Sequence, residues 1–131
     1  MNTISLTGFI ASVPATFNID NGLTYTSFRL RVHGSYLDSQ GDPYSYDEQH
    51  TIICVGNLEH FIRAIPRDHE IEVDGEVRSR IHSLCIGGHV AIEVSYPFTE
   101  IVANTIRWLD LTLSRKAADD SLIALYKPDP A

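Results

Sequence analysis

Residues 49–80, QHTIICVGNLEHFIRAIPRDHEIEVDGEVRSR, decide the fold. The stretch opens on an apolar run, Ile52-Ile53-Cys54-Val55, whose β-branched side chains suit a buried strand. After Gly56-Asn57 comes a segment of helical length with Leu58, Phe61, Ile62 and Ile65 at spacings of three, one and three. Those spacings line one face of a helix. Pro66 ends it, because the residue before a proline is pushed out of the helical region. Strict alternation follows, with Ile71, Val73, Gly75 and Val77 on one side and Glu70, Glu72, Asp74, Glu76, Arg78 and Arg80 on the other. Period two with one charged side is a half-solvated strand. The centre of the chain therefore reads strand, short helix, strand.

A chain of 131 residues suits one domain with a real hydrophobic core. Its formal net charge of −7 argues mildly against a polyanion partner until the basic residues are located. Residues 1–11 alternate rather than forming an apolar leader, and no stretch approaches membrane-spanning length. Two cysteines make no disulfide framework, so a reducing cytoplasm is the expected location. The GxGxxG, P-loop and HExxH patterns are absent.

Outward toward the N-terminus, residues 4–11 alternate Ile4, Leu6, Gly8, Ile10 against Ser5, Thr7, Phe9, and read as a strand. Gly8 in its middle suggests a bend or a close backbone approach. Residues 12–18 read as a connector around Pro14, and Asp20-Asn21-Gly22 as a hairpin turn, since Asn-Gly tolerates the positive φ of a type I′ turn. A strand over residues 23–33 follows, with imperfect alternation near Ser27-Phe28 that suggests a bulge. Arg29 and Arg31 share one face of it. Residues 34–48, GSYLDSQGDPYSYDE, read as a long polar loop. Beyond the central stretch, residues 81–88 read as a second hairpin turn tipped by Gly87-Gly88. Residues 101–113 are apolar enough for a strand through Ile106 and Trp108, with a helix capped by Thr99 as the competing reading. The domain is expected to span 1–113, leaving 114–131 as a C-terminal tail.

Five strands with one short helix between the third and fourth form the pattern of the all-β OB-fold, a closed Greek-key barrel. ISLTGFIASVP, LTYTSFRLRVHG, HTIICVGNLEHFIRAIPRDHEIEVDGEVRSR and EIVANTIRWLD, in that order, resemble the strands and helix of bacterial single-stranded DNA-binding proteins. The third of these includes a V-x-G-x-[VL]-x-[ST]-R run at Val73, Gly75, Val77, Ser79 and Arg80. The resemblance covers residues 3–110. It implies a groove in which bases stack on aromatic rings, yet the matching places hold Gln49, Val55 and His82, and only Tyr36 keeps a ring. Stacking contributes about 1–3 kcal/mol per base, so weaker binding is implied. The family's glycine- and glutamine-rich linker and its acidic Pro-Phe tip are missing, so replication or recombination partners would not be recruited through that tip.

The candidate DNA-binding set is Arg29, Arg31, Tyr36, Tyr44, Arg78, Arg80 and His82. Each arginine pair leaves one strand face, where its strand is expected to run into a groove-flanking loop, and supplies cations for phosphates. The bland reading is that Arg29 with Arg31 and Arg78 with Arg80 are two exposed pairs balanced by nearby Glu72, Asp74 and Glu76. Tyr36, Tyr44 and Tyr46 with Phe28 are stacking candidates, or else covers for the core edge. Trp108 reads as core or interface. His50, Cys54, Cys85 and His89 carry His-x₃-Cys and Cys-x₃-His spacings. Residues four apart on a strand are roughly 13 Å apart, too far for one zinc ion. Cys54 is expected to act as a small buried hydrophobe. No metal, cofactor or catalytic function is expected.

The expected function is sequence-tolerant binding of single-stranded DNA in replication, recombination or mobile-element transfer. The resemblance also implies a homo-oligomer, dimer or tetramer, for which Leu84-Cys85-Ile86 and residues 4–10 are the apolar candidates. The rival is an OB-fold protein-interaction or assembly module that has lost strong DNA binding.

Overall fold

The computed structural model describes residues 3–20, 22–86 and 92–116, with Asp20, Tyr36, residues 80–86 and residues 92–98 described by backbone alone. The strands are β1 (Ile4–Ile10), β2 (Ala15–Asp20), β3 (Leu23–Leu37), β4 (Pro43–Val55), β5 (Glu70–Ile86), β6 (Ile92–Trp108) and β7 (Leu111–Ser114). One helix, α1 (Asn57–Ala64), lies between β4 and β5. The sheet runs β1-β5-β6-β4-β3-β2, and a further β1–β3 pairing closes β1, β3, β4, β6 and β5 into a five-stranded barrel. β4 and β6 pair in parallel and the other pairings are antiparallel. This is the OB barrel, with α1 between the third and fourth barrel strands.

Closure depends on Gly8. Its register partner on β5 is Ile71, on the core side, and a Cβ there would collide with the Arg31 carbonyl oxygen of β3. The side chain is absent where two backbones must touch. The core behind it is made of Ile10, Phe28, Leu30, Ile52, Cys54, Ile71, Val73, Ile101, Ala103 and Ile106 from the barrel. Leu58, Ile62 and Ile65 add the face of α1 read from the sequence. Ile65 ends the helix in an extended conformation, φ −82° and ψ 127°, as the following proline requires. Cys54 is fully buried in this core and burial holds its thiol pKa well above the ordinary value.

Four local expectations are corrected. Residues 15–20 are a strand, paired with β3 from Ala15↔Ser27 to Asp20↔Leu23. Residues 15–18 are exposed, so no buried side showed in the sequence. The stretch read as a loop over 34–48 is mostly hairpin, with β3 and β4 in register out to Leu37↔Pro43. The turn itself is tight: Asp38 Oδ1 accepts the backbone N–H groups of Gln40 and Asp42, each at 2.9 Å. The β3–β4 register passes Ser27 and Phe28 without a shift. The broken alternation there comes from Thr26, a polar residue on the buried face. Finally, Thr99 lies inside β6, so the competing helix does not start there. β5 runs as strand to Ile86 and pairs antiparallel with β6 out to Ile86↔Ile92, the arms of the hairpin whose tip was read at Gly87-Gly88. Gly87-Gly88, His89 and the tail beyond Lys116 lie outside the described residues.

Candidate nucleic-acid interface

β3 sorts its side chains by alternation. Thr26, Phe28 and Leu30 are buried in the barrel, while Arg29, Arg31 and His33 leave the outer face exposed. Across the register, Arg31 meets Phe9 on β1 and Gln49 on β4, and Arg29 meets Thr51. Phe9 is half-buried and stacks on the His33 ring, centroids 5.7 Å apart and planes 13° from parallel. The turn after α1 completes this face. Asp68 has positive φ, 69°, and its N–H donates to the Ile10 carbonyl at 3.0 Å. That bond brings Arg67 beside β1. Phe9, Ala11, Arg31, His33, Gln49, Arg67 and Asp68 line one open cleft of about 380 Å³.

The arginines differ in their freedom. Arg31 is engaged by Asp47: Nη2 donates to Oδ2 at 2.6 Å and Nε to Oδ1 at 3.0 Å. The hydrogen bond from Arg31 holds the Asp47 carboxyl below the usual carboxylate range and raises the arginine in turn. Arg78 donates to Glu76 at 2.9 Å, the balance the sequence had offered as the bland reading. Arg29 is exposed and has no carboxylate partner among the described residues. Neither pair stands at a strand end, since β3 continues to Leu37 and β5 to Ile86. A lateral row nevertheless links them, Arg29↔Thr51 on β4, Thr51↔Glu100 on β6 and Glu100↔Arg78 on β5. The row spans three strand spacings, roughly 14 Å. Arg80 pairs in register with Phe98 and His82 with Tyr96 on the β5–β6 arm.

Tyr36 and Tyr44 are register partners near the tip of the β3–β4 arm. Tyr44 is 54% exposed. Its position is five residues from Gln49, so alternation sends it to the other face of the arm from Arg31. Tyr46 is register partner to Gly34, and its ring occupies the space a Cβ at Gly34 would need, 2.6 Å from that position. Phe28, weighed as a stacking ring, is a core residue with 2% exposure. Gln49 and Val55 carry no ring, as read from the sequence, and Val55 is buried.

Sequence reasoning missed Phe9 and His33 as a pair. The signal was present, because alternation already put Phe9 on the polar side of β1 and His33 two positions beyond Arg31. What was missing was the β1–β3 pairing that joins them. Glu59 was missed as well. It lies among the buried residues of α1 and accepts hydrogen bonds from Thr24 Oγ1 at 3.1 Å and Thr26 Oγ1 at 2.9 Å. On the acidic side of β5, Glu72 meets Arg107 at 3.2 Å and Asp74 accepts from Ser5. Among the described residues no group of three or more histidine, cysteine, aspartate or glutamate side chains is placed to hold a metal ion.

Comparison with known proteins finds likeness in structure alone. No family model matches the chain, and no curated protein matches it in sequence. Among solved structures, the chain resembles the Plasmodium falciparum SSB in its complex with ssDNA, with a TM-score of 0.67 at 17% identity over 84% of this chain and 96% of that one. It resembles the small single-stranded DNA-binding protein of Streptomyces coelicolor, with a TM-score of 0.57 at 18% identity over 81% of this chain and 92% of that one. A deletion mutant of the Thermus aquaticus single-stranded DNA binding protein gives 0.64 at 17% identity, covering 83% of this chain and 50% of that one. At these identities the likeness establishes the fold, an OB barrel like that of single-stranded DNA-binding proteins.

Proposed function

We propose that this chain binds single-stranded DNA, with little sequence preference, across the outer face of β1, β3 and β4. The observation that carries the reading is the grouping on that face of Arg29, Arg31, Arg67 and two stacked rings, on a chain whose net charge is −7. Arg31 and Arg67 offset Asp47, Asp68 and Glu70 on that face, so an otherwise acidic protein does not repel a polyanion there, and Arg29 adds a cation with no carboxylate partner among the described residues. The exposed His33 ring, backed by half-buried Phe9, suits an unpaired base, whose face is free to stack. The Plasmodium falciparum SSB, similar in fold and solved in complex with ssDNA, supports it.

The finer parts of the reading are that the protein acts in replication, recombination or mobile-element transfer, as a non-enzymatic homo-oligomer in the cytoplasm. The test of the binding itself is a titration with fluorescent poly(dT) at low and at physiological salt, with duplex DNA as control. Binding that prefers the single strand and weakens with salt supports the reading, and no binding at low salt removes it.

The second reading is an OB-fold module that contacts protein. It is favoured by the exposure of Val13, Phe17, Leu37 and Leu111 at 69%, 47%, 70% and 51%, and by the engagement of Arg31 and Arg78 with carboxylates. A chain that ignores poly(dT) but self-associates in sedimentation or light scattering points there.

A further inference from the structure

We propose that the stacked pair of Phe9 and His33 is the principal base-binding platform of this face, taking one nucleobase onto the exposed His33 ring. The inference rests on the single-strand reading above and deepens it by naming the contact that carries affinity. The pair is preformed. Its 5.7 Å centroid separation and 13° interplanar angle already match the offset stacking of aromatic groups, so a base laid on it extends the stack without reordering the site. The two rings come from adjacent strands of a closed barrel, with Phe9 directly opposite Arg31 on β3 and His33 two residues further along that strand. A platform on such a frame is held more rigidly than one on a loop.

The surroundings suit the edge of a base. The cleft of about 380 Å³ beside the rings is at the small end of ligand sites. Its rim offers donors from Arg31 and Arg67, acceptors from Asp68, and both from the Gln49 amide. Base edges likewise carry donors and acceptors together. On the hairpin side, Tyr46 borders a second cleft that also includes Phe9 and His33.

The charges around the rings nearly cancel. Arg31 is engaged by Asp47, Asp68 stands beside Arg67, and Glu70 is the β5 register partner of Phe9. Such a rim offers a phosphate little net attraction. The platform therefore contributes by stacking, and it contributes little to counterion release. Arg29, with no carboxylate partner among the described residues, has the complementary role of a phosphate contact.

These two roles separate in the salt dependence of binding. Poly(dT) affinity would be measured against salt concentration for the full chain and for F9A, H33A, F9W, H33Y and R29A, with thermal unfolding of each. The expected result is a 5- to 150-fold loss of affinity in H33A and F9A, about the range for one stacked base, with the log–log salt slope unchanged. F9W and H33Y, which keep a ring, should bind at or above the wild-type level. R29A should flatten the slope by about one unit. His33 is exposed, so H33A reports on binding even if F9A unfolds. Wild-type binding with H33A and F9A both unaffected, or with H33A flattening the slope as R29A does, overturns the platform and leaves the single-strand reading standing. Absence of wild-type binding at low salt removes both.

Discussion

Thr26 Oγ1 donates a 2.9 Å hydrogen bond to Glu59 Oε1 inside the barrel, where Thr26 is fully buried and Glu59 is 7% exposed. The contact joins β3 to the first turn of α1. Thr24 Oγ1 adds one longer, bifurcated donation to both oxygens of the same carboxylate, and Arg63 reaches from the helix to Thr16 at 3.1 Å. Removing a partner from a buried charged group costs about 1–3 kcal/mol or more, because the group keeps its desolvation penalty. Thr26→Val is therefore expected to lower the unfolding midpoint by several degrees. Thr26→Ser, which keeps the hydroxyl, should lose less, and thermal unfolding of the two variants makes the comparison.

Arg31 and Asp47 form an exposed pair whose importance lies in occupancy of the cation. Asp47→Asn leaves Arg31 available to phosphate. It is expected to tighten poly(dT) binding and steepen its salt dependence by about one unit, while Arg31→Ala weakens binding. A tighter Arg31→Ala variant would exclude this arginine from the interface.

The same pair sets a pH dependence. The Arg31 hydrogen bond lowers the Asp47 pKa in the folded chain. A depressed carboxylate contributes stability that is present above its unfolded pKa, about 3.9, and is lost as pH falls through the folded value. Wild type should thus exceed Asp47→Asn in thermal stability at neutral pH by a small, salt-sensitive margin that closes in acid. A margin that grows below pH 4 would contradict the sign.

Gly8 tests barrel closure. Gly8→Ala forces a methyl group toward the Arg31 carbonyl, and backbone cannot yield as a flexible side chain does. A cost of about 1–3 kcal/mol, or more, is expected. Poly(dT) binding should fall with it, since the β1–β3 pairing also holds Phe9 beside His33. Equal stability of Gly8→Ala and wild type would show that the strands separate more easily than their contact implies.

Leu58 tests the helix. It is fully buried, as are Ile62 and the barrel residue Cys54 in the same cluster. Leu58→Ala is expected to cost about 2–5 kcal/mol in urea unfolding, the usual range for a cavity in a packed core. A cost under 1 kcal/mol would mean that α1 does not share the barrel's cooperative unit.

The sequence by itself determined the barrel's strands and helix wherever one side of an element is buried. Ile71, Val73 and Val77 alternate because β5 has a wet face and a core face, and Leu58 and Ile62 recur because one side of α1 meets that core. It was silent where the backbone alone holds an element. β2 and the outer parts of β3 and β4 are paired by hydrogen bonds with both faces largely solvated, and no apolar pattern marks them. Thr26 misled for the converse reason, since a polar residue can sit inside when a distant partner, Glu59, satisfies it. Tertiary structure alone decided which cations are free and which rings meet. Arg31 and Asp47 are sixteen residues apart and Phe9 and His33 twenty-four, and only register across β3–β4 and β1–β3 brings them together. Such pairings are set by closure of the whole sheet, so local periodicity, a property of single strands, carries no trace of them.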